Sequence, residues 1–269
     1  MSIHSYRLPM MPYHLADNLA QLSPSDAVML MWFYGLDAIE QEGRPEEHSQ
    51  PSPVIVLGDD QLLPLGPTIE IGVFYGGSLW FAAQWAKLLG QAAWGLDEFG
   101  RDGSKFQGEP TLLLAAGQMV AEGLHQHVRL CVGNTKDKSH DQYAVELTGD
   151  EAEGMPSGYR LIRATKRRTP IRDEAFAGVF TGADHSGRWA LSDIPWCDRV
   201  CMPGGYIAVH AMHGTPSKPS DKYDDPRLNA PDGRPYERVV RDLAEEFGWV
   251  SIARMVGSSV EVYRKPEEG

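Results

Sequence analysis

Four side chains that can take up or hold a proton follow two apolar segments in the second half of the chain. Asp184 and His185 follow the first segment, and His210 and His213 follow the second. Both segments are predicted β-strands, and ligands bind at the carboxyl ends of strands in open parallel sheets, so these side chains should converge. Histidine can accept a proton from a hydroxyl or ammonium group near neutral pH. An isolated histidine is more often structural, but the position directly after a predicted strand favours a catalytic role for His185 and His210. For His213 a structural and a catalytic role are equally favoured.

A second candidate site is a glycine-rich turn, Glu70-Ile-Gly-Val-Phe-Tyr-Gly-Gly-Ser78. Glycine lets the backbone turn sharply and approach a ligand, and Ser78 is a suitable N-cap for the helix that follows. Asp97 ends the next predicted strand, 25 positions after Gly72, close to the spacing at which a strand-end carboxylate binds ribose hydroxyls. Tight turns also join strands to helices in proteins that bind no nucleoside. Glu70 and Asp97 together favour a nucleoside site, whose glycines are Gly72, Gly76 and Gly77.

These side chains need a sheet to position them, and the apolar pattern predicts an α/β fold. Predicted strands at 68–72, 92–97, 127–132, 174–180 and 201–210 alternate with helices at 78–89, 111–121, 189–200 and 236–247. Pro195 predicts an interruption of the third helix. Two strands joined at Gly257 close the chain, and so short a connection makes them antiparallel. A terminal antiparallel hairpin argues against a plain dinucleotide-binding fold and hence against a nicotinamide-dependent oxidoreductase, which remains an alternative.

The chain is predicted to consist of an N-terminal helical extension, residues 1–60, and one α/β domain, residues 61–269. The extension contains an apolar run at 27–39, which should form a buried helix capping the sheet. A lid or a contact between subunits, and so a homo-oligomer, is the other interpretation. Polar composition predicts long loops near 136–172 and 211–234.

Composition excludes several classes of function. A formal charge of -12 argues against a nucleic-acid partner and is compatible with a cationic substrate. No apolar run is long enough to cross a membrane, and no basic-then-apolar signal segment precedes the domain. The three cysteines lack metal-site spacing, so we expect reduced thiols and a cytoplasmic protein without a membrane partner.

The motif Glu-Ile-Gly-Val-x-x-Gly-Gly-Ser-Leu resembles the first motif of class I S-adenosylmethionine-dependent methyltransferases. It is most similar to the branch with macrolide-sugar O-methyltransferases and cephalosporin hydroxylase-like proteins, over residues 68–97 and 184–210. The resemblance implies a Rossmann-like fold with a mostly parallel seven-stranded sheet and a C-terminal antiparallel hairpin. It implies S-adenosylmethionine as cofactor, with Asn134 near the adenine, although the acidic residue that relatives carry there is missing. Asp184, His185 and His210 then flank the acceptor pocket.

The chain departs from its metal-dependent relatives at two positions. They carry Asp-Gly-Asp-His where this chain has Gly182-Ala-Asp-His185, and an acid or amide at Ala211. Because Mg²⁺ requires several oxygen ligands, Asp184 alone is a poor site, and we expect catalysis without a metal. A softer metal on Asp184, His210 and His213 is a weaker alternative.

The sequence therefore predicts an S-adenosylmethionine-dependent N-methyltransferase acting on an amino group of an aminoglycoside-type antibiotic in secondary metabolism. The negative charge favours a cationic amino sugar, and an amine is an easier nucleophile than a hydroxyl without a metal. The alternatives are a metal-dependent O-methyltransferase of a deoxysugar or other small-molecule hydroxyl, and a protein that binds the cofactor without catalysis.

Overall fold

The computed structural model of the chain describes residues 3–5, 26, 29–30, 33, 54–56, 66–74, 76–99, 111–136, 143–151, 160–168, 171–213, 226–254 and 257–267. Four helices lie in these ranges: α1 (Gly77–Leu88), α2 (Thr111–Ala121), α3 (Gly187–Val200) and α4 (Tyr236–Glu246). The strands are β1 (Ile3–Ser5), β2 (Val54–Val56), β3 (Thr68–Ile71), β4 (Ala93–Asp97), β5 (Val128–Val132), β6 (Tyr143–Glu151), β7 (Arg160–Arg168), β8 (Phe176–Thr181), β9 (Cys201–Val209), β10 (Val250–Arg254) and β11 (Glu261–Arg264).

The main sheet has the order β10-β11-β9-β8-β3-β4-β5-β6-β7. Its centre, from β9 to β5, is parallel throughout, with β3 between β8 and β4. At one end β11 runs antiparallel to both β9 and β10, which confirms the predicted terminal hairpin. The seven strands from β10 to β5 therefore form the mostly parallel sheet that the sequence predicts. The carboxyl ends of β3, β4, β8 and β9 share one edge, where the candidate residues lie.

Two further strands extend this sheet where the sequence predicts a long loop at 136–172. β6 and β7 form an antiparallel hairpin in continuous register from Tyr143 opposite Arg168 to Glu151 opposite Arg160, and β6 pairs with β5. The loop prediction is wrong over these strands because their many charged residues conceal the alternation of polar and apolar positions. Charged residues are common on edge strands, where they discourage pairing with other chains. The described part of 211–234 contains neither a helix nor a strand.

Helices cover both faces of the sheet, as in a doubly wound fold. Apolar side chains of α1 and α2, among them Leu79 and Met119, pack on one face. Those of α3 and α4, among them Ile194 and Val240, pack on the other. The described part of the N-terminal extension adds Met29, Leu30 and Phe33 to the first cluster, and all three are buried. These residues therefore pack against the domain core, as expected for a helix that caps the sheet.

The predicted interruption at Pro195 is wrong, because α3 is one helix that contains this proline. Proline removes the hydrogen bond to the carbonyl four residues earlier, here that of Leu191, a residue on the exposed side of the helix. The buried neighbours Ile194 and Trp196 hold both sides of the proline against the sheet. No helix in the described ranges is long and apolar enough to cross a membrane.

Candidate active site

The turn between β3 and α1 has left-handed backbone at three residues: Gly72 (φ 87°), Phe74 (φ 51°) and Gly76 (φ 88°). Gly72 donates its N–H to the carbonyl of Leu96 on β4, so the turn is fixed to the neighbouring strand. A Cβ on Gly72 would lie 2.5 Å from Cα of Ala183, in the segment after β8. Glycine is therefore required here for the close approach of these two segments as well as for its positive φ.

Helix α1 begins at Gly77 with Gly76 as its N-cap, so the prediction that Ser78 is the cap is wrong. The left-handed Gly76 ends the turn before the serine is reached. The Ser78 hydroxyl instead donates a hydrogen bond to Oε1 of Glu70. The serine thus connects the first turn of α1 with the carboxyl group of the preceding strand.

Glu70 is a fully buried carboxyl group beside this turn. Its Oε2 atom has no hydrogen-bond partner within the described part of the chain. Burial raises the pKa of Glu70 well above its usual value, the Ser78 hydrogen bond opposes this, and the charge of Asp97 adds to it. A buried, under-bonded acid of this kind is an attractive partner for a cationic group of a ligand.

Asp97 joins the end of β4 to the glycine turn. Its Oδ2 accepts a hydrogen bond from Phe74 N at 2.8 Å, and its Oδ1 accepts one from Phe99 N at 2.7 Å. Burial raises the pKa of Asp97, and these backbone hydrogen bonds oppose the rise. Because a carboxylate oxygen can accept more than one hydrogen bond, Asp97 can still receive a ligand hydroxyl.

The structure adds Glu98 to this group, which sequence reasoning missed. Its Oε1 accepts a hydrogen bond from Nδ2 of Asn134 at 2.7 Å, so the loop after β5 meets the end of β4. Two successive acids at a strand end are a local signal in the sequence, but only Asp97 matches the spacing from Gly72 that is typical of a ribose-binding carboxylate. Glu98, Asp97 and Asn134 therefore form one polar group beside the glycine turn.

The two histidines favoured from the sequence are in contact. His210 Nδ1 lies 3.2 Å from His185 Nε2, and the two rings meet edge to face with centroids 4.9 Å apart. His210 is 7% exposed, whereas His185 is half-buried and Asp184 is exposed. The sequence thus predicts correctly that the ends of β8 and β9 bring His185 and His210 together. His213 is half-buried, three residues beyond His210.

A third group behind the histidines, Asp26, was missed. Its Oδ2 lies 3.8 Å from Nε2 of His210. Its Oδ1 accepts hydrogen bonds from Ser258 Oγ at 2.8 Å, Ser259 N at 2.5 Å and Ser259 Oγ at 3.1 Å. From the sequence, Asp26 indicates only the start of a helix, because nothing local relates it to a strand end so far along the chain.

No protein-family model matches the sequence, and no curated protein matches it. Among solved structures, an O-methyltransferase from Bacillus cereus in complex with SAH is 12% identical, with a TM-score of 0.50, over 96% of this chain and 93% of that one. An O-methyltransferase family protein from Burkholderia thailandensis is 14% identical, with a TM-score of 0.50, over 78% of this chain. The chain spans only 54% of that protein's length. The chain has the class I methyltransferase fold.

In this methyltransferase fold, the loop after β5 meets α3 at Asp193. This carboxyl group is buried, and its Oδ1 accepts a hydrogen bond from the Thr135 hydroxyl. Burial raises the pKa of Asp193 to about 7, the Thr135 hydrogen bond opposes the rise, and the nearby charge of Asp184 adds to it. The Lys136 ammonium group lies 3.5 Å from the centre of the Trp189 ring at the same place. Asp193 therefore connects the loop after β5 to α3.

Replacing Asp193 with asparagine should remove a pH dependence of stability. A carboxyl group whose folded pKa is raised stabilises the protein below its unfolded pKa and loses this contribution as pH rises through the folded value. The asparagine oxygen can still accept the Thr135 hydrogen bond but cannot ionise. From pH 5 to pH 8, the parent should therefore lose roughly 2–4 kcal/mol of unfolding free energy relative to Asp193→Asn. Urea unfolding of both proteins at the two pH values measures this, and equal differences at both would contradict it.

Within the described residues, no group of three or more His, Cys, Asp or Glu side chains is placed to hold a metal ion. Asp184, His210 and His213 are all described, and the structure does not bring these three side chains together as metal ligands. The contact that the structure shows within the group after β8 and β9 joins the imidazoles of His185 and His210, a pair suited to moving a proton.

Proposed function

We propose that this protein transfers a methyl group from S-adenosylmethionine to a small molecule. The observation that carries the proposal is the glycine turn itself, whose left-handed residues fold it onto the carboxylate of Asp97. Two proteins of the same fold support it, since both are named O-methyltransferases and one was solved with SAH. When bound, the cofactor supplies an electrophilic methyl group on a positively charged sulfur.

The described residues fit this cofactor in charge and in hydrogen bonding. The unpartnered Oε2 of buried Glu70 would gain a partner from a cationic ligand group. Asp97 and Glu98 at the end of β4 can accept hydrogen bonds from ribose hydroxyls, and Asn134 beside them offers an amide to the adenine. The residues proposed to hold the cofactor are Glu70, Gly72, Gly76, Gly77, Ser78, Asp97, Glu98 and Asn134.

For the acceptor, we propose an amino group of an aminoglycoside-type molecule, with His185 or Asp184 removing its proton. The support is the formal charge of -12, together with a cluster of acids in each long polar region: Asp150, Glu151 and Glu153 in the first, and Asp221, Asp224 and Asp225 in the second. Exposed Asp184 and half-buried His185 follow β8 at the edge that holds the glycine turn. An ammonium group needs to lose only one proton before its nitrogen lone pair can attack, a task within reach of an imidazole near neutral pH.

The test is incubation of the protein with S-adenosylmethionine and a panel of aminoglycosides and neutral glycosides, followed by mass spectrometry. One sample of the protein is treated exhaustively with EDTA, and a second sample receives Mg²⁺. We expect a mass gain of one methyl group on an aminoglycoside, equal in both samples. The metal-dependent enzymes that the sequence resembles carry an acid at the position of Gly182 and an acid or amide at that of Ala211, and this chain has neither.

Three other results would contradict the proposal in different ways. Methylation confined to neutral glycosides and dependent on Mg²⁺ would indicate a metal-dependent O-methyltransferase. Binding of the cofactor by isothermal titration without methylation of any substrate would indicate a non-catalytic binding protein. Binding of a nicotinamide cofactor in place of S-adenosylmethionine would refute the methyltransferase assignment itself.

A further inference from the structure

Asp26, His210 and His185 form a row of three ionisable side chains that leads from the protein interior towards the candidate site. Asp26 is 3% exposed and His210 is 7% exposed, whereas His185 is half-buried. The three come from separate parts of the chain: the N-terminal extension, the end of β9 and the segment after β8. The three side chains are therefore distant in the sequence and meet only in the folded protein.

The two atoms of the Asp26 carboxylate face different surroundings. Three hydrogen bonds from Ser258 and Ser259 converge on Oδ1. These donors stabilise the negative charge of a buried carboxylate, which would otherwise be costly. The other oxygen, Oδ2, faces Nε2 of His210 at 3.8 Å. This separation exceeds that of a hydrogen bond, but at such a distance a buried charge still influences which ring nitrogen carries the proton.

The order of the atoms then determines the tautomer of both rings. An anionic Asp26 favours a proton on the facing Nε2 of His210, which leaves Nδ1 of a neutral ring as an acceptor. His210 Nδ1 lies 3.2 Å from His185 Nε2, so that nitrogen of His185 must donate. The acceptor nitrogen of His185 is then Nδ1. Around the rings, the Tyr236 hydroxyl donates to the backbone carbonyl of His210 and leaves this assignment unchanged.

We propose that Asp26 is a positioning residue that acts through His210 and makes Nδ1 of His185 the general base of the reaction. The inference rests on the proposed function and assigns its base. The proton of the acceptor ammonium group moves to His185 Nδ1, which makes that ring an imidazolium. The negative charge of Asp26, one ring further in, stabilises this cation. The new proton stays on His185 until product leaves, so the step needs no other reactant.

The test is nitrogen-15 NMR of the histidine rings, which distinguishes the two tautomers of each imidazole and needs neither cofactor nor turnover. Single His185→Gln and His210→Gln variants assign the signals. In the parent, at a pH where both rings are neutral, we expect the proton on Nε2 of both His210 and His185. A proton on Nδ1 of His210 in the parent would overturn the proposal without the need for any variant at Asp26.

Asp26→Asn extends the test to catalysis. The amide carries no charge, so we expect His210 to lose its preference for the Nε2 proton and kcat to fall about 10- to 1,000-fold, with little change in KM or in cofactor affinity. Asp232→Asn is the matched control, since it makes the same exchange of a carboxylate for an amide at an exposed aspartate that bonds Arg234 and lies outside the site. It should retain the parent tautomers and most of kcat.

Two further outcomes separate this inference from the proposed function. An Asp26→Asn variant with parent tautomers and parent kcat would overturn the role of Asp26. If the histidines have the expected tautomers but the protein methylates no substrate, the effect of Asp26 on the tautomers is supported and the proposed function is refuted.

Discussion

Replacing Gly72 with alanine should lower the free energy of unfolding by roughly 2–5 kcal/mol. One part of this loss is the left-handed backbone, since Gly72 has a φ of 87°. The larger part is steric, because the new Cβ would lie 2.5 Å from Cα and 2.6 Å from N of Ala183. These are backbone atoms and cannot rotate away. The glycine turn and the segment that carries Asp184 would have to separate, so cofactor affinity should fall as well.

Gly90 provides a matched control for the backbone part of this effect. It also has a positive φ, 63°, but a Cβ there would meet no atom within 4 Å. Gly90→Ala should therefore cost only about 1 kcal/mol, and the difference between the two variants measures the steric part. Urea unfolding of both variants beside the parent gives the two values. A Gly72→Ala variant no less stable than Gly90→Ala would show that the turn and the Ala183 segment are not tightly packed.

The parts of the site that could be predicted from the sequence are those with a local signal. Gly72 and Gly76 are visible because only glycine readily adopts their backbone conformation, and both have a positive φ. His185 and His210 are visible because buried strands precede them, and parallel strands end at the same edge of a sheet. The terminal hairpin is visible because the apolar runs on the two sides of Gly257 are too close in sequence for a crossover connection.

The parts that could not be predicted depend on contacts between distant residues or on packing. Asp26 is bonded to residues 232 and 233 positions away, and no local pattern encodes that contact. The β6–β7 hairpin is stabilised by pairing onto β5, while its charged composition suggests a loop. The helix through Pro195 exists because buried neighbours hold it to the sheet, which overrides the local preference of proline to end a helix.

The N-terminal extension contributes a side chain to the candidate site, which its sequence does not indicate. Its apolar residues Met29, Leu30 and Phe33 join the core, and Asp26 on the same segment reaches the histidine pair. Burial of the apolar side chains therefore fixes the position of a charged one. A segment that looks like a cap on the sheet thereby becomes part of the candidate active site.

His185→Gln should lower kcat about 10²- to 10⁴-fold, the range usual for loss of a general base. Glutamine can still donate a hydrogen bond towards Nδ1 of His210, 3.2 Å from the histidine nitrogen that it replaces, but it cannot take up a proton near neutral pH. The loss should therefore appear in kcat, with cofactor affinity close to that of the parent. Initial rates on the best substrate of the panel, with isothermal titration of S-adenosylmethionine, separate the two effects.

Two comparison variants make this result specific to His185. Asp184→Asn tests the neighbouring acid, which is exposed at the same strand end and is the other candidate base. His125→Gln changes a histidine in the short helical turn that precedes β5, at the opposite end of that strand from the site, and should leave kcat unchanged. If Asp184→Asn abolishes transfer while His185→Gln retains it, the acid is the base and the row from Asp26 to His185 has no catalytic role. A kcat lowered only by His185→Gln identifies the outer imidazole of that row as the group that takes the proton.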